Sequence, residues 1–170
     1  MASREALDKA YMTCAFAIAE LSQARRKKVG AILVAQNCGI IAEGFNGTPV
    51  KFDNNCEDDF VQYDEDPQLY PVEPGTGTVL ITKPECIHAE SNAIMKIARS
   101  HNKSVGATLY CTLTPCFECA KLIIQAGIIR VVYAEQYPYV GHAGAARPLG
   151  LELLTKARIQ IDKLDGFTEH

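Results

Sequence analysis

Two short groups of metal-ligand residues most constrain how this chain folds, one at 88–90 (HAE) and one at 115–119 (PCFEC). Their imidazole and two thiolates suit zinc, and they can share one ion only if the fold brings both groups together. A catalytic zinc keeps three protein ligands and an open position, whereas a structural zinc is closed by four. Water in an open position ionises near neutral pH, and Glu90 is the natural group to move its proton.

Hydrophobic periodicity and turn signals predict helices and strands along most of the chain. The short turn between the first two strands indicates an antiparallel hairpin, and the later alternation indicates parallel strands with right-handed crossovers. The predicted fold class is α/β with three α/β/α layers, in which a mixed five-stranded sheet carries helices on both faces. The predicted helices cover 3–21, 88–100, 116–126 and 148–157, and the predicted strands cover 29–35, 40–45, 107–112, 128–134 and 159–164.

Both metal-ligand groups stand at the beginning of predicted crossover helices. Such helices start at the carboxyl edge of parallel strands, where α/β proteins usually bind ligands. We therefore expect His88 and Glu90 to lie across a cleft from the two cysteines. Thr114 is predicted to cap the second of these helices, with Pro115 at its first position.

The segment from 46 to 87 has no hydrophobic periodicity and is rich in proline, glycine, aspartate and glutamate. Long irregular segments are uncommon inside compact domains and are usually functional or disordered. We predict a single domain over residues 1–170, with an irregular insertion at about 46–87 that a ligand partly orders.

The composition argues against several classes of protein. A net charge of −3 is unlike that of proteins that grip a nucleic-acid backbone, and no run approaches the roughly 20 apolar residues of a membrane helix. The seven cysteines are odd in number and follow no apolar leader, so we expect free thiols and a cytoplasmic location. The one basic run, at 25–28, is either a solvated helix end or a binding site for a small phosphate.

Taken alone, the Cys-x-x-Cys group is as consistent with a redox pair or half of a closed zinc knuckle as it is with a catalytic zinc site. The preceding proline and the upstream His-x-Glu group argue against both interpretations, and a closed site would need a fourth ligand. The candidates for that ligand are Cys86, Cys111, His101 and His142. Cys111 is expected in a core strand and His101 at a frayed helix end. A second, structural zinc that uses Cys56 or Cys86 stays open.

Several longer segments resemble those of the deoxycytidylate deaminase family, particularly its viral and bacterial members. The metal-ligand groups match the H-x-E…P-C-x-x-C pattern of zinc nucleobase deaminases, and the resemblance runs from about Lys28 to Leu164. It implies a cytidine deaminase-like fold. The segments that carry it are GFNGTP at 44–49, NNCED at 54–58, KPECIHAESNAI at 83–94, YCTLTPCFECAKLIIQAGI at 110–128 and RVVYAEQY at 130–137.

The resemblance implies that this chain is a hydrolytic deaminase of dCMP. Zinc would be held by His88, Cys116 and Cys119, and Glu90 would move protons from water to the pyrimidine ring and to the leaving ammonia. The product, dUMP, would supply thymidylate synthesis, in the host cytoplasm if the protein is viral.

For the substrate, the resemblance implies that Asn46 contacts the sugar and that Ala89, Tyr137 and Phe117 line the pocket. The residues alone favour plainer interpretations. Asn46 follows a strand within a glycine-containing turn, Tyr137 is expected to be half-buried, and Phe117 either lines a pocket or simply packs. Both interpretations stay open for each residue.

Many members of the family are hexamers that dCTP activates and dTTP inhibits, usually with Mg²⁺, so the resemblance implies a homo-hexamer with a separate effector site. Cations and backbone N–H groups suit a triphosphate, and carboxylates suit magnesium. The alternative is two solvated charge clusters. The candidate effector residues are Lys28, Gly44, Phe45, Gly47, Asp58 and Asp59.

Two features depart from the family's pattern: residues 139–146, and Arg158, which stands where a helix-ending glycine is expected. Arginine there implies a different helix cap or backbone strain. The competing functions are deamination of free cytidine, dCTP or adenosine in transfer RNA, and a non-catalytic binding module stabilised by zinc. Such a module would need neither an open coordination position nor Glu90.

Overall fold

The computed structural model describes residues 2–36, 39–61, 78–137 and 148–167. None of the helices in these ranges is both long and apolar enough to cross a bilayer. Along the chain the elements are α1 (Arg4–Ala19), β1 (Gly30–Ala35), β2 (Gly39–Phe45), β3 (Glu57–Val61), β4 (Thr78–Thr82), α2 (Ala89–Ile97), β5 (Thr108–Leu113), α3 (Phe117–Gln125), β6 (Arg130–Glu135), α4 (Leu149–Lys156) and β7 (Gln160–Lys163).

Five strands form a mixed sheet in the order β2-β1-β5-β6-β7. β1 pairs antiparallel with both β2 and β5, whereas β5, β6 and β7 run parallel. The inner strands β1, β5 and β6 are almost continuously buried, as expected for strands covered on both faces. The predicted mixed five-stranded sheet and its first hairpin are confirmed.

Helices cover both faces of this sheet. Successive residues of β1 point to opposite faces: Ile32 packs with Met12 of α1 on one face, and Leu33 lies in the core on the other. That second core is built from small and branched residues of α2, α3 and α4, namely Ala89, Ala93, Ala120, Ile123 and Leu154. The predicted three-layer α/β/α architecture is confirmed.

The segment predicted to be irregular contains two paired strands. β3 and β4 run antiparallel, from Glu57 opposite Thr82 to Val61 opposite Thr78. The sequence did not indicate β3 because it begins with three acidic residues, which are depleted in strands and hide any alternation. The prediction of a wholly irregular insertion at 46–87 is therefore wrong for β3 and β4. Residues 62–77 lie outside the described ranges, and the single-domain organisation stays a prediction.

Helix ends follow the capping chemistry of their residues. The Ser3 side chain accepts a hydrogen bond from the backbone N–H of Ala6 (3.2 Å) and so caps α1. Gly127 follows α3 with a φ of 69°, as predicted. Arg158 follows α4 with a φ of 60°, a left-handed conformation that strains a non-glycine residue, so of the two expected alternatives the structure shows backbone strain. Residues 139–146 lie outside the described ranges.

A buried ion pair ties α1 to the sheet. Arg130 of β6 donates two hydrogen bonds, of 2.8 and 2.7 Å, to the carboxylate of Asp8, and both residues are buried. The Tyr110 hydroxyl also donates to Asp8 (2.6 Å), and Arg130 donates from Nε to Asp162 (2.6 Å). Burial alone would raise the pKa of Asp8, but the hydrogen bonds from Arg130 and Tyr110 hold that pKa below its ordinary value.

Candidate metal centre

The three predicted metal ligands converge where two helices begin. His88 is the N-cap residue of α2, and Cys116 is the N-cap residue of α3, just beyond the carboxyl end of β5. The Sγ atom of Cys116 accepts a hydrogen bond from the backbone N–H of Cys119 (3.4 Å). The prediction that Thr114 caps α3 with Pro115 at its first position is wrong by two residues, because the Cys116 side chain itself supplies the cap.

The spacing of the ligand atoms fits a zinc ion. His88 Nδ1 lies 3.3 Å from Cys116 Sγ and 3.5 Å from Cys119 Sγ, and all three atoms lie within 4.8 Å of one another. In a tetrahedral site with Zn–S of about 2.3 Å and Zn–N of about 2.0 Å, nitrogen and sulfur are about 3.5 Å apart. The two distances from His88 Nδ1 to the sulfur atoms therefore fit a zinc ion, with Nδ1 as the histidine donor.

Hydrogen bonds within the cluster favour a thiolate at Cys116. The pKa of Cys116 falls to about 4, chiefly through the hydrogen bond from the Cys119 thiol and also through His88. The same contacts raise the pKa of Cys119, which holds the shared proton, and the hydrogen bond with Cys116 raises the pKa of His88. Zinc would replace these shared protons, because it binds thiolates and neutral imidazole.

Glu90 lies in the first turn of α2, beside the ligand cluster but not part of it. Its side chain is buried, and burial raises its pKa to about 7. The nearby Cys116 thiolate also opposes a charged Glu90, whereas the positive end of the helix favours it. A bound dication would likewise favour the carboxylate. A carboxyl group so placed can both accept and return a proton.

No fourth ligand joins this cluster among the residues that the structure describes. Cys111 is buried in β5, where its thiol donates to the carbonyl oxygen of Val132 (3.7 Å), and burial raises its pKa well above the ordinary value. His101 is exposed beyond the end of α2, and His142 lies outside the described ranges. Three protein ligands are the pattern of a catalytic zinc site.

Cys56 and Cys86 lie beside each other near the ends of the β3–β4 pair. Burial is the main cause of the raised pKa values of both thiols, that of Cys86 to about 12, and the thiols donate to the carbonyl oxygens of Asn54 (3.9 Å) and Ile87 (4.0 Å). In the described part of the chain no third ligand accompanies this pair, so the geometry offers no support for a second, structural zinc.

Ser91 is a site residue that sequence reasoning missed. Its Oγ atom lies 3.4 Å from Cys119 Sγ. Ser91, in α2, thus contacts a metal ligand that lies in α3. Ser91 follows His88 by three positions, and residues at this spacing share a helix face. That spacing is the signal that could have found it.

Asn46, the predicted sugar contact, uses its side chain to hold the backbone that leads into β1. Its Oδ1 atom accepts from the Val29 N–H (2.8 Å), and its Nδ2 atom donates to the Lys27 carbonyl oxygen (2.9 Å). A carboxamide has two acceptor and two donor sites, so these two bonds leave capacity for a ligand. The contact with a sugar stays a prediction.

The three residues predicted to line the substrate pocket all lie near the ligands. Ala89 stands between His88 and Glu90 and is fully buried. Phe117 follows Cys116 and is 44% exposed, and Tyr137 is 40% exposed. The backbone N–H of Tyr137 donates to the Thr114 hydroxyl (3.0 Å), which places it beside the cysteine loop. Their contact with a substrate stays a prediction.

The basic run at 25–28 is not a helix end, because α1 already ends at Ala19, so that interpretation was wrong. Its cations instead join separate carboxylates. Arg25 pairs with Asp59 (2.7 Å), Lys27 with Glu135 (2.8 Å) and Lys28 with Glu20 (3.0 Å), while Asp58 lies 3.8 Å from Lys83. Lys28, Asp58 and Asp59 therefore each have a different partner, and their contact with an effector stays a prediction.

The remaining effector candidates lie near α2. Phe45 and Gly47 line a cleft of about 370 Å³, whose charged lining residues are Lys51 and Lys96. Gly44 packs against the backbone of α2. Among the described residues, the lining of this cleft thus offers cations and no carboxylate.

Comparison with known proteins identifies the family. Residues 5–135 match the family model described as the cytidine and deoxycytidylate deaminase zinc-binding region. The deoxycytidylate deaminase of Enterobacteria phage T4 is 31% identical over an alignment of 180 positions, gaps included, which covers 89% of this chain and 90% of the phage protein. Human deoxycytidylate deaminase is 38% identical over 141 residues, which cover 82% of this chain and 71% of the human protein.

A solved structure shows the same fold. The dCMP deaminase of the cyanophage S-TIM5, in complex with dCMP and dUMP, matches with a TM-score of 0.73 at 33% identity, covering 96% of this chain and 100% of that one. The matched family region contains all three metal ligands and Glu90. This chain therefore belongs to the cytidine and deoxycytidylate deaminase family.

Proposed function

We propose that this protein converts dCMP to dUMP and ammonia by hydrolysis. The observation that carries the proposal is the convergence of His88, Cys116 and Cys119 beside the buried carboxyl group of Glu90. Membership of the family supports it. The relatives from phage T4 and human are deoxycytidylate deaminases, and the cyanophage relative binds dCMP and dUMP.

Zinc, when bound by these ligands, would supply a polarised water of lowered pKa at its open position. Glu90 is placed to take one proton from a water molecule and pass it to N3 of the cytosine ring, so that the water oxygen can bond to C4. The second proton then moves through the same carboxyl group to the amino nitrogen. The bond between C4 and that nitrogen breaks, ammonia leaves, and the C4 carbonyl of dUMP remains. Burial of Glu90 keeps other water away from these transfers.

For the substrate contacts we propose Asn46 against the sugar and Ala89, Phe117 and Tyr137 around the base. The remaining hydrogen-bonding capacity of Asn46 supports the first assignment. The partly exposed rings of Phe117 and Tyr137, next to the cysteine loop, support the second.

We further propose that dCTP activates the enzyme and dTTP inhibits it, with Mg²⁺ on the triphosphate, in a homo-hexamer. The resemblance to regulated family members supports this regulation. The cleft lined by Phe45 and Gly47 supports it too, because Lys51 suits phosphate groups, as does Lys96 once it exchanges its present partner Glu43 (2.7 Å). Lys28, Asp58 and Asp59 lie outside its lining and would contribute only by exchanging their present partners. The free thiols of the described cysteines fit a reducing cytoplasm.

A panel of dCMP, dCTP, CMP, deoxycytidine and transfer RNA tests the proposed substrate. We expect dCMP to give the highest kcat/KM. A higher value for another substrate would contradict the assignment, and zinc-loaded protein that turns over none of them would indicate a binding module. Regulation is tested by repeating the dCMP series with each triphosphate. Sigmoidal kinetics that become hyperbolic with dCTP are expected, and hyperbolic kinetics without any response would contradict regulation alone.

A further inference from the structure

Two glycines lie in close contact with the backbone of the two halves of the metal site, one half carrying His88 and the other the two cysteines. Gly150 of α4 contacts the peptide that leads into α3. A methyl group added there would overlap the carbonyl oxygen of Pro115 and lie 2.9 Å from the carbonyl oxygen of Cys116. The φ angle of Gly150 is not positive, so close approach, and not backbone conformation, requires glycine at this position.

The atoms that Gly150 contacts are those that position Cys116. The carbonyl oxygen of Cys116 accepts a hydrogen bond from Ala120 in the first turn of α3 (2.9 Å), while its Sγ atom caps the helix. Pro115 is fully buried, so its peptide has no open space into which to retreat. A side chain at 150 would therefore displace α4, or displace this peptide and the thiolate with it.

Gly44 of β2 makes the equivalent approach to the other half. A methyl group added there would overlap the carbonyl oxygen of Ala89 and lie 2.5 Å from the backbone nitrogen of Ala93. Ala89 is fully buried between His88 and Glu90. Displacing the first turns of α2 would therefore move a metal ligand and the proton-transfer group together.

We propose that Gly44 and Gly150 are positioning residues of the metal site, which set the separation of His88 from the two cysteine ligands. Each acts through a backbone segment that carries a ligand. The inference rests on the metal site of the proposed function but not on the identity of the nucleotide, because its readout is metal binding.

Gly30 of β1 provides a matched control. A methyl group added there would overlap the carbonyl oxygen of Ala15 and lie 2.7 Å from the backbone nitrogen of Ala19. These atoms belong to α1, which packs on the face of the sheet opposite to α2, α3 and α4. Gly30→Ala therefore introduces a comparable clash without displacing a helix that carries or supports a ligand.

The test compares wild type, Gly44→Ala, Gly150→Ala and Gly30→Ala as metal-free proteins titrated with zinc against a chromophoric chelator. Circular dichroism verifies the fold, and the absorption spectrum of the Co²⁺ form reports thiolate coordination. We expect Gly44→Ala and Gly150→Ala to bind zinc about tenfold or more weakly than wild type, with an altered Co²⁺ spectrum. Gly30→Ala should unfold at a lower temperature yet keep wild-type zinc affinity.

Gly44→Ala tests the histidine half of the site and Gly150→Ala the cysteine half. If one of them does not fold, the other still tests the proposal. Wild-type zinc affinity and Co²⁺ spectra in folded Gly44→Ala and Gly150→Ala would overturn the proposal, as would an equal loss of affinity in Gly30→Ala. Turnover of dCMP by the wild type is measured separately. Its absence would refute the proposed function without changing the result for metal affinity.

Discussion

The Nδ1 atom of His88 lies 3.3 Å from the Sγ atom of Cys116, although 28 positions separate the two residues in the chain. The two residues are the N-caps of α2 and α3, which pack on the same face of the sheet. Their side chains meet because both helices begin at the same edge of the sheet. A metal held there would add a link between two helices that already contact each other, for example through Ser91 and Cys119.

Removing the metal should therefore destabilise the protein. A zinc ion bound by α2 and α3 stabilises the folded chain over the unfolded one, so chelation should lower the midpoint of thermal unfolding by about 5 °C or more. Cys116→Ser should lose most of its bound zinc and show the lower midpoint already. Cys14→Ser is the matched control, since Cys14 on α1 belongs to no metal cluster in the described residues. An unchanged midpoint after complete loss of zinc would contradict this prediction.

Asp8→Asn should cost up to about 3–5 kcal/mol of unfolding free energy, because it removes the buried one of the two carboxylates that pair with the guanidinium of Arg130 and leaves only the more exposed Asp162. Denaturant unfolding measures the cost. The control is Asp165→Asn, which removes an exposed ion pair with Lys163 (2.8 Å) and should cost less than about 1 kcal/mol. Equal costs for the two variants would argue against the importance of the buried pair.

The same pair should make stability depend on pH in acid. The pKa of Asp8 is lowered in the folded state, so its stabilisation is fully present above the unfolded value of about 3.9. It is lost as the pH falls through the lowered folded pKa. Wild type should therefore lose stability below about pH 4, and Asp8→Asn should lose less over that range. If the unfolding free energies of the two proteins fell in parallel with decreasing pH, Asp8 would not be the cause of the loss of stability in acid.

Arg158→Gly should stabilise the protein by about 0.5–1 kcal/mol. Arg158 is exposed and has a φ of 60° after α4, and a left-handed conformation costs a non-glycine residue about 1–2 kcal/mol, part of which the freer unfolded chain offsets. Lys156→Gly, within α4, is the opposite control and should cost about 1 kcal/mol. Chemical denaturation measures the unfolding free energy of both variants. A destabilised Arg158→Gly would refute the argument that Arg158 is strained.

The fold could be predicted where short-range patterns are strong. The apolar runs of β1 and β6 and the glycine after α3 gave the strands and the helix end directly. The convergence of His88 with Cys116 and Cys119 followed from their places at helix starts. Arg158 was found because a local rule, glycine after a helix, was broken there.

What the sequence did not reveal depends on long-range contacts. The strand β3 opens with Glu57, whose buried carboxylate accepts from the backbone N–H groups of Arg25 and Arg26 (3.0 and 3.4 Å). No local pattern indicates partners so far away in the chain. The partners of the effector candidates Lys28 and Asp59 were hidden for the same reason, since Lys28 pairs with Glu20 and Asp59 with Arg25.

The most direct test of the proposed chemistry compares wild type, Glu90→Gln and Glu118→Gln on dCMP, with zinc content measured in each. Glu118 is the matched control because it lies in the first turn of α3 but is exposed and paired with Lys121. Wild type and Glu118→Gln should each release one ammonia for every dUMP formed, and the two proteins should do so at similar rates. Glu90→Gln should keep its zinc and be about 10²–10⁴-fold slower. Undiminished turnover by Glu90→Gln, or no dUMP from zinc-loaded wild type, would contradict the account.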